Sequence, residues 1–304
     1  MSADALLVSV IIPAFNAESF IARAIDSVLA QGMTNLEIIV VDDASTDSTV
    51  SIVADYQSRH SCVHLLQQAS NQGVSAARNR ALAYASGQWI AVLDADDYFH
   101  PQRLLKMLEV AAASHADVVA DDLWRIEEGQ LLPYGRLLEQ LVIGQQMDVS
   151  LSDYLANFKP GSASSFGLLK PLIRRSLLRD NGLSYPEGLR LGEDFIFYAY
   201  ILLAGASFRL MVEPYYFYVA RPGSLTKSRT SADIQNLCAA YDVFVQRMFA
   251  MGEEEAARLA SRQLAYMRER QIPLLHLLEV IRRGGLFLAL KLLIQRPVLL
   301  PALI

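Results

Sequence analysis

Cysteine is nearly absent: Cys62 and Cys238 are the only two in 304 residues. They lie far apart and without metal-ligand spacing, so they set no disulfide framework and suit a reducing compartment. His60, His64, His100, His115 and His276 form no His-x-x-x-His pair for zinc. No Gly-x-Gly-x-x-Gly follows the first apolar run, which argues against a dinucleotide-binding dehydrogenase. No Gly-x-x-x-x-Gly-Lys-Ser/Thr occurs, which argues against a P-loop ATPase, and no Gly-x-Ser-x-Gly elbow marks a hydrolase. An excess of positive charge is also missing. The net charge of −5 argues against broad nucleic-acid binding. The N-terminus lacks a basic region followed by a cleavable apolar stretch, and Leu6 to Ile12 is too short to span a membrane.

Apolar residues make up 53% of the chain, enough for a sizeable core. Their pattern is regular over the first 120 residues or so. Leu7 to Ile12, Glu37 to Val41, Val63 to Leu66 and Trp89 to Leu93 are short apolar, β-branched-rich runs that predict buried strands. Between them lie helical stretches. Ile21, Ile25, Val28 and Leu29 share one face, Ser48 to Arg59 returns the chain, and Val74 to Ala85 is a small-residue helix. Asn16 is placed to cap the first helix. This alternation with short links predicts an α/β fold, a doubly wound and mostly parallel sheet flanked by helices. An amphipathic helix is expected over Pro101 to Ser114 with Leu104, Leu105 and Leu108 inward. A further strand is expected over Asp117 to Ala120, ending in Asp121-Asp122. Past that point the alternation fades. Leu151 to Phe158 and Phe195 to Leu203 read as helices, Glu213 to Val219 as an aromatic strand, and Ala232 onward as helical.

The strand ends carry the chemistry. In a parallel sheet the carboxyl ends of the strands share one edge, where ligands bind. The second strand runs into Asp42-Asp43 and the fourth into Asp94-Ala95-Asp96-Asp97. Three crowded carboxylates repel each other unless a cation or ordered donors sit among them. A divalent metal holding a phosphate-bearing ligand meets that need, whereas capping the helix near Pro101 needs one Asp only. Carboxylates on the same rim can accept from a ring N–H or from ribose hydroxyls, the chemistry of a uridine-like base and its sugar. Arg78, early in a helix on that rim, can add a planar cation near base or phosphates, or serve a surface salt bridge.

These stretches together resemble family 2 glycosyltransferases with the GT-A fold. The likeness rests on Val10-Ile11-Ile12-Pro13-Ala14-Phe15-Asn16, on Val40-Val41-Asp42-Asp43-Ala44-Ser45-Thr46-Asp47-Ser48-Thr49 and on Asn71-Gln72-Gly73-Val74-Ser75-Ala76-Ala77-Arg78-Asn79. It continues through Gly87, Leu93-Asp94-Ala95-Asp96-Asp97 and Gly192-Glu193-Asp194, so it covers residues 7 to 226. The resemblance implies inverting transfer of a hexose from a UDP-sugar. Pro13, Phe15, Asp43 and Arg78 are then expected to line the nucleoside site, with Glu18 a further candidate on that wall. Asp94 is expected at the ribose, Asp96 on Mg²⁺ or Mn²⁺ at the diphosphate, and Asp194 as the general base. Arg221-Pro222-Gly223-Ser224-Leu225-Thr226 is similar to a late family loop, with Arg221 as a cationic lid and Gly223 as its hinge. Members that place a His in this loop gain a metal ligand that this chain lacks.

The style resembles bacterial exopolysaccharide enzymes of succinoglycan-type assembly. That implies glucose as the sugar and an oligosaccharide on a polyprenyl diphosphate as the acceptor, at the cytoplasmic membrane face. The expected layout is a GT-A domain over residues 1–230, split into a nucleotide-binding half (1–122) and an acceptor half (123–230). A helical C-terminal region follows over 231–304. Its tail from Leu286 is strongly apolar, yet Lys291, Arg296, Pro297 and Pro301 interrupt it. With Arg282 and Arg283 it suits a helix lying on an anionic membrane, or one packed on protein. A sugar-phosphate nucleotidyltransferase and a non-catalytic nucleotide-sugar-binding assembly subunit are the other readings. The first wants a Gly-rich loop where Pro13-Ala14-Phe15-Asn16 stands, and the second has no use for the full acidic set.

Overall fold

The computed structural model describes residues 7–158, 165–221 and 229–295. Gly223, the expected hinge, and Arg296, Pro297 and Pro301 of the tail lie outside the described residues.

The first half follows the alternation written in the sequence. β1 (Val8–Ala14), α1 (Ile21–Leu29), β2 (Leu36–Asp42), α2 (Thr49–Arg59), β3 (Val63–Gln67), α3 (Val74–Tyr84) and β4 (Trp89–Val92) come in order. β2 pairs in parallel with β1 and β3, and β1 pairs in parallel with β4. Every β2 residue is buried, as expected of a strand covered on both faces. β1 runs two residues further than its apolar pattern suggests. Pro13 does not end it but pairs with Val41, past the last β4 pair at Ile11 and Val92, where no ladder bond to β4 is lost.

A two-residue strand β5 (Tyr98–Phe99) precedes α4 (Arg103–Ser114), and β6 (Val118–Glu127) follows. Two expectations fail here. Leu105 is 53% exposed, whereas Arg103 and Met107 are fully buried on the inner face. The strand does not end at Asp121-Asp122 but continues through both, and each is neutralised inside the protein. Arg103 holds Asp121 with two bonds of 2.9 and 2.8 Å, and Arg136 donates to Asp122 at 2.8 Å.

β7 (Gly135–Arg136), β8 (Gln146–Asp148) and α5 (Leu151–Asn157) come next. A 3-10 turn at Phe166–Leu168 then leads to β9 (Leu172–Arg174), α6 (Arg175–Asp180), α7 (Glu193–Leu203) and β10 (Phe208–Ala220). Among the described residues ten strands form one sheet, whose main path is β3-β2-β1-β4-β9-β6-β10-β5. β9 is wedged antiparallel between β4 and β6 and so joins the parallel first half to the second. The chain closes with helices α8 (Ser231–Ala250), α9 (Glu254–Tyr266), α10 (Ile272–Arg282) and α11 (Leu286–Gln295), a π-helical turn at Met267–Gln271 leading into α10. One apolar core runs from the sheet through α7 into α8 and α9. Among the described residues no helix is long and apolar enough to cross a membrane.

Candidate active site

β1, β2 and β4 release their loops on one edge. The first two loops are laced together. Asn16 stands at φ +48°, a conformation Asn tolerates better than most residues. Its amide donates to Ser45 Oγ at 2.8 Å, and its Oδ1 accepts from the Thr46 amide at 2.9 Å. Asn16 therefore fastens the β1 loop to the β2 loop and does not cap α1, whose N-cap is Phe20. Glu18 accepts from the Ser48 amide at 2.9 Å, at the entrance to α2. Phe15 leaves 49% of its surface open at this edge, and Pro13 is partly buried beneath it in sequence.

Asp43 is 4% exposed and carries protein donors on both oxygens. Its Oδ1 accepts from the Gln68 side chain and from the Gln72 amide at 2.8 Å, and Oδ2 accepts from the Gly73 amide at 2.8 Å. Those bonds bind the end of β2 to the turn before α3, where Gly73 sits at φ +89°. Nearby in the sequence, Asp42 Oδ1, Ser75 Oγ and Arg78 Nε are buried without a hydrogen-bond partner.

Arg78 is no surface ion. It is 2% exposed and reaches three carboxylates, Nη2 to Asp94 Oδ1 at 2.7 Å and Nη1 to Glu193 Oε1 and Asp194 Oδ1 at 2.9 and 3.0 Å. Lys170 answers from the other side. Its Nζ lies 2.8 Å from Asp94 Oδ2 and 2.7 Å from Asp194 Oδ2. Each of the two aspartates thus gives one oxygen to Arg78 and the other to Lys170. Glu193 and Asp194 fill the first turn of α7, where free amides and the helix dipole favour negative charge. Gly192 enters that helix at φ +85°, and a Cβ there would sit 2.7 Å from Leu237.

The charges act on one another strongly. Burial opposes ionisation of Asp94, but Lys170 and Arg78 outweigh it and hold its carboxyl far below the usual range. Burial likewise opposes the charge on Lys170, and Asp194 with Asp94 outweighs it and holds the ammonium protonated. Glu193 moves the other way. Burial, and next the charge of Asp194, push its carboxyl above its ordinary value.

The Asp94–Asp97 loop separates its three carboxylates by environment. Asp97 is 1% exposed and serves the fold. Tyr216 Oη donates to its Oδ2 at 2.6 Å and the Val219 amide to its Oδ1 at 2.8 Å, both from β10. Burial, then the charges of Asp96 and Asp94, push its carboxyl well up. Asp97 therefore neither caps α4 nor faces a ligand. Asp96, like Asp94 at 26% side-chain exposure, is partly open. Its side chain is 25% exposed, and Arg221 Nε donates to its Oδ2 at 2.6 Å. Arg221 also sits over the Phe20 ring, 5.1 Å from its centre. Among the described residues no group of three or more His, Cys, Asp or Glu gathers as a metal shell. A single hard carboxylate such as Asp96 still fits a divalent cation whose other ligands are phosphate oxygens and water.

Of the expected site residues, Arg78, Asp94 and Asp194 form one contact network, with Asp96 two positions from Asp94. Asp43 is tied to the α3 turn instead. Lys170, Tyr216 and Arg103 were not legible as site-shaping residues. A lone Lys in Leu168-Leu169-Lys170-Pro171-Leu172-Ile173 was the available signal, since a buried Lys requires a partner.

The chain is similar to known proteins in sequence and in fold. The model of the family "Glycosyl transferase family 2" matches residues 9–166. The succinoglycan biosynthesis protein ExoO of Rhizobium meliloti (strain 1021) is 34% identical over 93% of this chain and 80% of that protein. ExoU of the same strain, also a succinoglycan biosynthesis protein, is 33% identical over 98% of this chain and 85% of its own. Among solved structures, Staphylococcus aureus TarS 1-349 in complex with UDP-GlcNAc superposes with a TM-score of 0.62 at 24% identity, covering 77% of this chain and 66% of that one. The mannosyltransferase PcManGT of Pyrobaculum calidifontis, with GDP-Man and Mn²⁺, gives 0.56 at 20% identity, covering 95% and 81%. At such identities the two structures speak for the fold.

Proposed function

The chain belongs to glycosyl transferase family 2, and from that premise we propose that it moves a hexose, glucose foremost, from a UDP-sugar to a growing oligosaccharide with inversion at the anomeric carbon. The acceptor in this reading is carried on a polyprenyl diphosphate, in exopolysaccharide synthesis at the cytoplasmic membrane face. Two succinoglycan biosynthesis relatives support the pathway class, and the UDP-GlcNAc and GDP-Man complexes of TarS and PcManGT support a nucleotide-sugar donor.

One observation carries the reading. A strand-end carboxylate, Asp94, and a helix-start carboxylate, Asp194, are gripped by the same two buried cations, and Asp96 follows two positions after Asp94. Pro13, Phe15, Asp43 and Arg78 form the nucleoside wall. Asp94 keeps lone pairs beyond the two given to Arg78 and Lys170, and these accept from ribose hydroxyls. Asp96 would hold Mg²⁺ or Mn²⁺, which would supply charge neutralisation for the departing diphosphate. Arg221 sits ready to add its own positive charge there.

Asp194 takes the acceptor proton. An acceptor hydroxyl is far too weak an acid to ionise at neutral pH, so its proton leaves as the bond to the anomeric carbon forms. The C–O bond to UDP breaks in the same displacement, and the electron pair leaves on the diphosphate. Attack opposite the leaving group inverts the centre. The test is UDP release from a panel of nucleotide sugars with Mn²⁺ and lipid-linked acceptors. Asp194→Asn is expected to lower kcat by at least about a hundredfold with UDP affinity kept. Asp96→Asn is expected to weaken Mn²⁺-dependent UDP binding. Full turnover in both variants would sink the mechanism.

Membrane contact is assigned to the last two helices. Arg282, Arg283 and Lys291 are exposed beside Ile281 and Ile294, the latter 73% exposed. Basic heads beside apolar side chains bind anionic lipid surfaces. Removing residues 286–304 is expected to abolish co-sedimentation with anionic liposomes. Unchanged sedimentation would refute the assignment.

A further inference from the structure

We propose that Lys170 is a positioning residue for the transfer reaction, the strut that fixes the reactive-side Asp194 against the donor-side Asp94. The inference rests on the transfer reading given above and adds to it a residue outside the motifs that carry the family resemblance.

Lys170 is held at both ends. Its carbonyl accepts a short bond from Arg103 Nη2, and Arg103 is locked in turn by two bonds to Asp121 in β6. Its ammonium lies 2.8 Å from Asp94 and 2.7 Å from Asp194. The residue is 7% exposed and lies two positions before β9, the strand wedged between β4 and β6. So the backbone of Lys170 is fixed by the sheet and its side chain fixes the site.

The geometry is that of a spacer. Arg78 alone would let the two carboxylates pivot about one guanidinium edge. With Lys170 on the opposite oxygens, each carboxylate is gripped at both oxygens and its plane is set. Ammonium donors are free to rotate, so one Nζ serves two acceptors at once. Charge requires it as well. Asp94, Glu193 and Asp194 bring three negative charges against two positive ones in the network. Without Lys170, the three carboxylates share Arg78 alone.

A positioning role predicts loss of turnover rather than loss of donor. Misplacing reacting groups by about 1 Å costs on the order of a hundredfold in rate. The experiment measures UDP release from UDP-glucose with Mn²⁺, UDP binding by calorimetry, and folding by circular dichroism. It uses the full chain and the variants Lys170→Met and Lys170→Arg. Lys170→Met is expected to lose about a hundredfold in kcat with its Kd for UDP within about threefold of wild type. Lys170→Arg keeps the charge and two donors and is expected to recover at least about a tenfold part of that loss. If Lys170→Met fails to fold, the folded Lys170→Arg variant decides, with lowered kcat and unchanged UDP affinity expected. The proposal is overturned if a folded Lys170→Met keeps kcat within about threefold, or if kcat and UDP affinity fall together in both variants. A wild type that binds UDP but releases none from any donor overturns the transfer reading itself, and Lys170's role in it.

Discussion

At the scale of single residues, a buried polar knot holds the start of the sheet. Ser9 Oγ donates to Glu37 Oε1 at 2.6 Å, and the Ser86 amide and hydroxyl donate to the same oxygen at 2.7 and 2.8 Å. Gly87 closes the knot with its amide on Ser9 Oγ at 2.8 Å, and a Cβ there would meet the Ser9 amide nitrogen at 2.6 Å. Gly87 therefore serves close approach between β1 and the turn into β4. Burial raises the Glu37 carboxyl, but the bonds from Ser9, Ser86 and Gly87 outweigh it and leave it below its ordinary value of 4.5. The sign follows. With the folded value depressed, the unfolded chain binds more protons in the acid range. The stabilisation by ionised Glu37 is thus full above 4.5 and fades as pH falls through the lowered folded value. Glu37→Gln is expected to cost about 1–3 kcal/mol at pH 7, because the shared acceptor loses its charge. Urea unfolding at a series of pH values checks it, and the gap between the variant and wild type should narrow towards pH 3. A constant gap would mean that the carboxylate charge contributes nothing.

At the scale of elements, β10 is the piece that holds the Asp94–Asp97 loop in place. Tyr216 Oη donates to Asp97 and accepts from the Asp94 amide at 3.2 Å, and Val219 adds a backbone bond to Asp97. Two residues on, the same strand's exit brings Arg221 onto Asp96. Tyr216→Phe removes the hydroxyl and leaves a buried carboxyl one donor short, at an expected cost of about 1–3 kcal/mol. Amide hydrogen exchange at Asp94 and Asp97 should quicken more than in β2. Equal exchange in loop and strand would show that the tie is not local. This coupling also marks where the sequence stops being legible. β1 to β4 and their helices are readable because each strand is an unbroken apolar run and each helix shows one apolar stripe. Tyr215-Tyr216-Phe217-Tyr218 reads equally well as packing, since nothing in its own pattern names a partner on a loop 119 residues away. The burial of Arg103 is not legible for a related reason. A charge in the first turn of an amphipathic helix is normally solvated, and only Asp121, hidden within a strand taken to end there, makes its burial tolerable.

At the scale of the whole molecule, the two halves meet through the sheet and through charge. Arg78 sits in α3 of the first half, while Glu193 and Asp194, 115 and 116 residues away, open α7 of the second. Motif spacing brings Arg78 and Asp94 to one rim, but no spacing rule reports that α7 folds back onto the same guanidinium. β9, paired antiparallel with both β4 and β6, joins the strands of the two halves in the same sheet. Arg78 is therefore a fold residue as well as a proposed site residue, and the two roles separate by substitution. Removing one member of a buried charge network typically costs about 3–5 kcal/mol, because its partners stay buried and unpaired. Arg78→Met leaves Asp94 and Asp194 with Lys170 alone and removes the ion pair of Glu193, so a loss of that size is expected in the free energy from urea unfolding. Arg78→Lys restores the charge but not the planar fork that spans Asp94 on one nitrogen and Glu193 with Asp194 on the other. It should recover part of the stability, while UDP binding stays weakened. If Arg78→Met unfolds at the wild-type urea midpoint, the network is not what joins the halves, and the sheet alone must hold α7 over the strand ends.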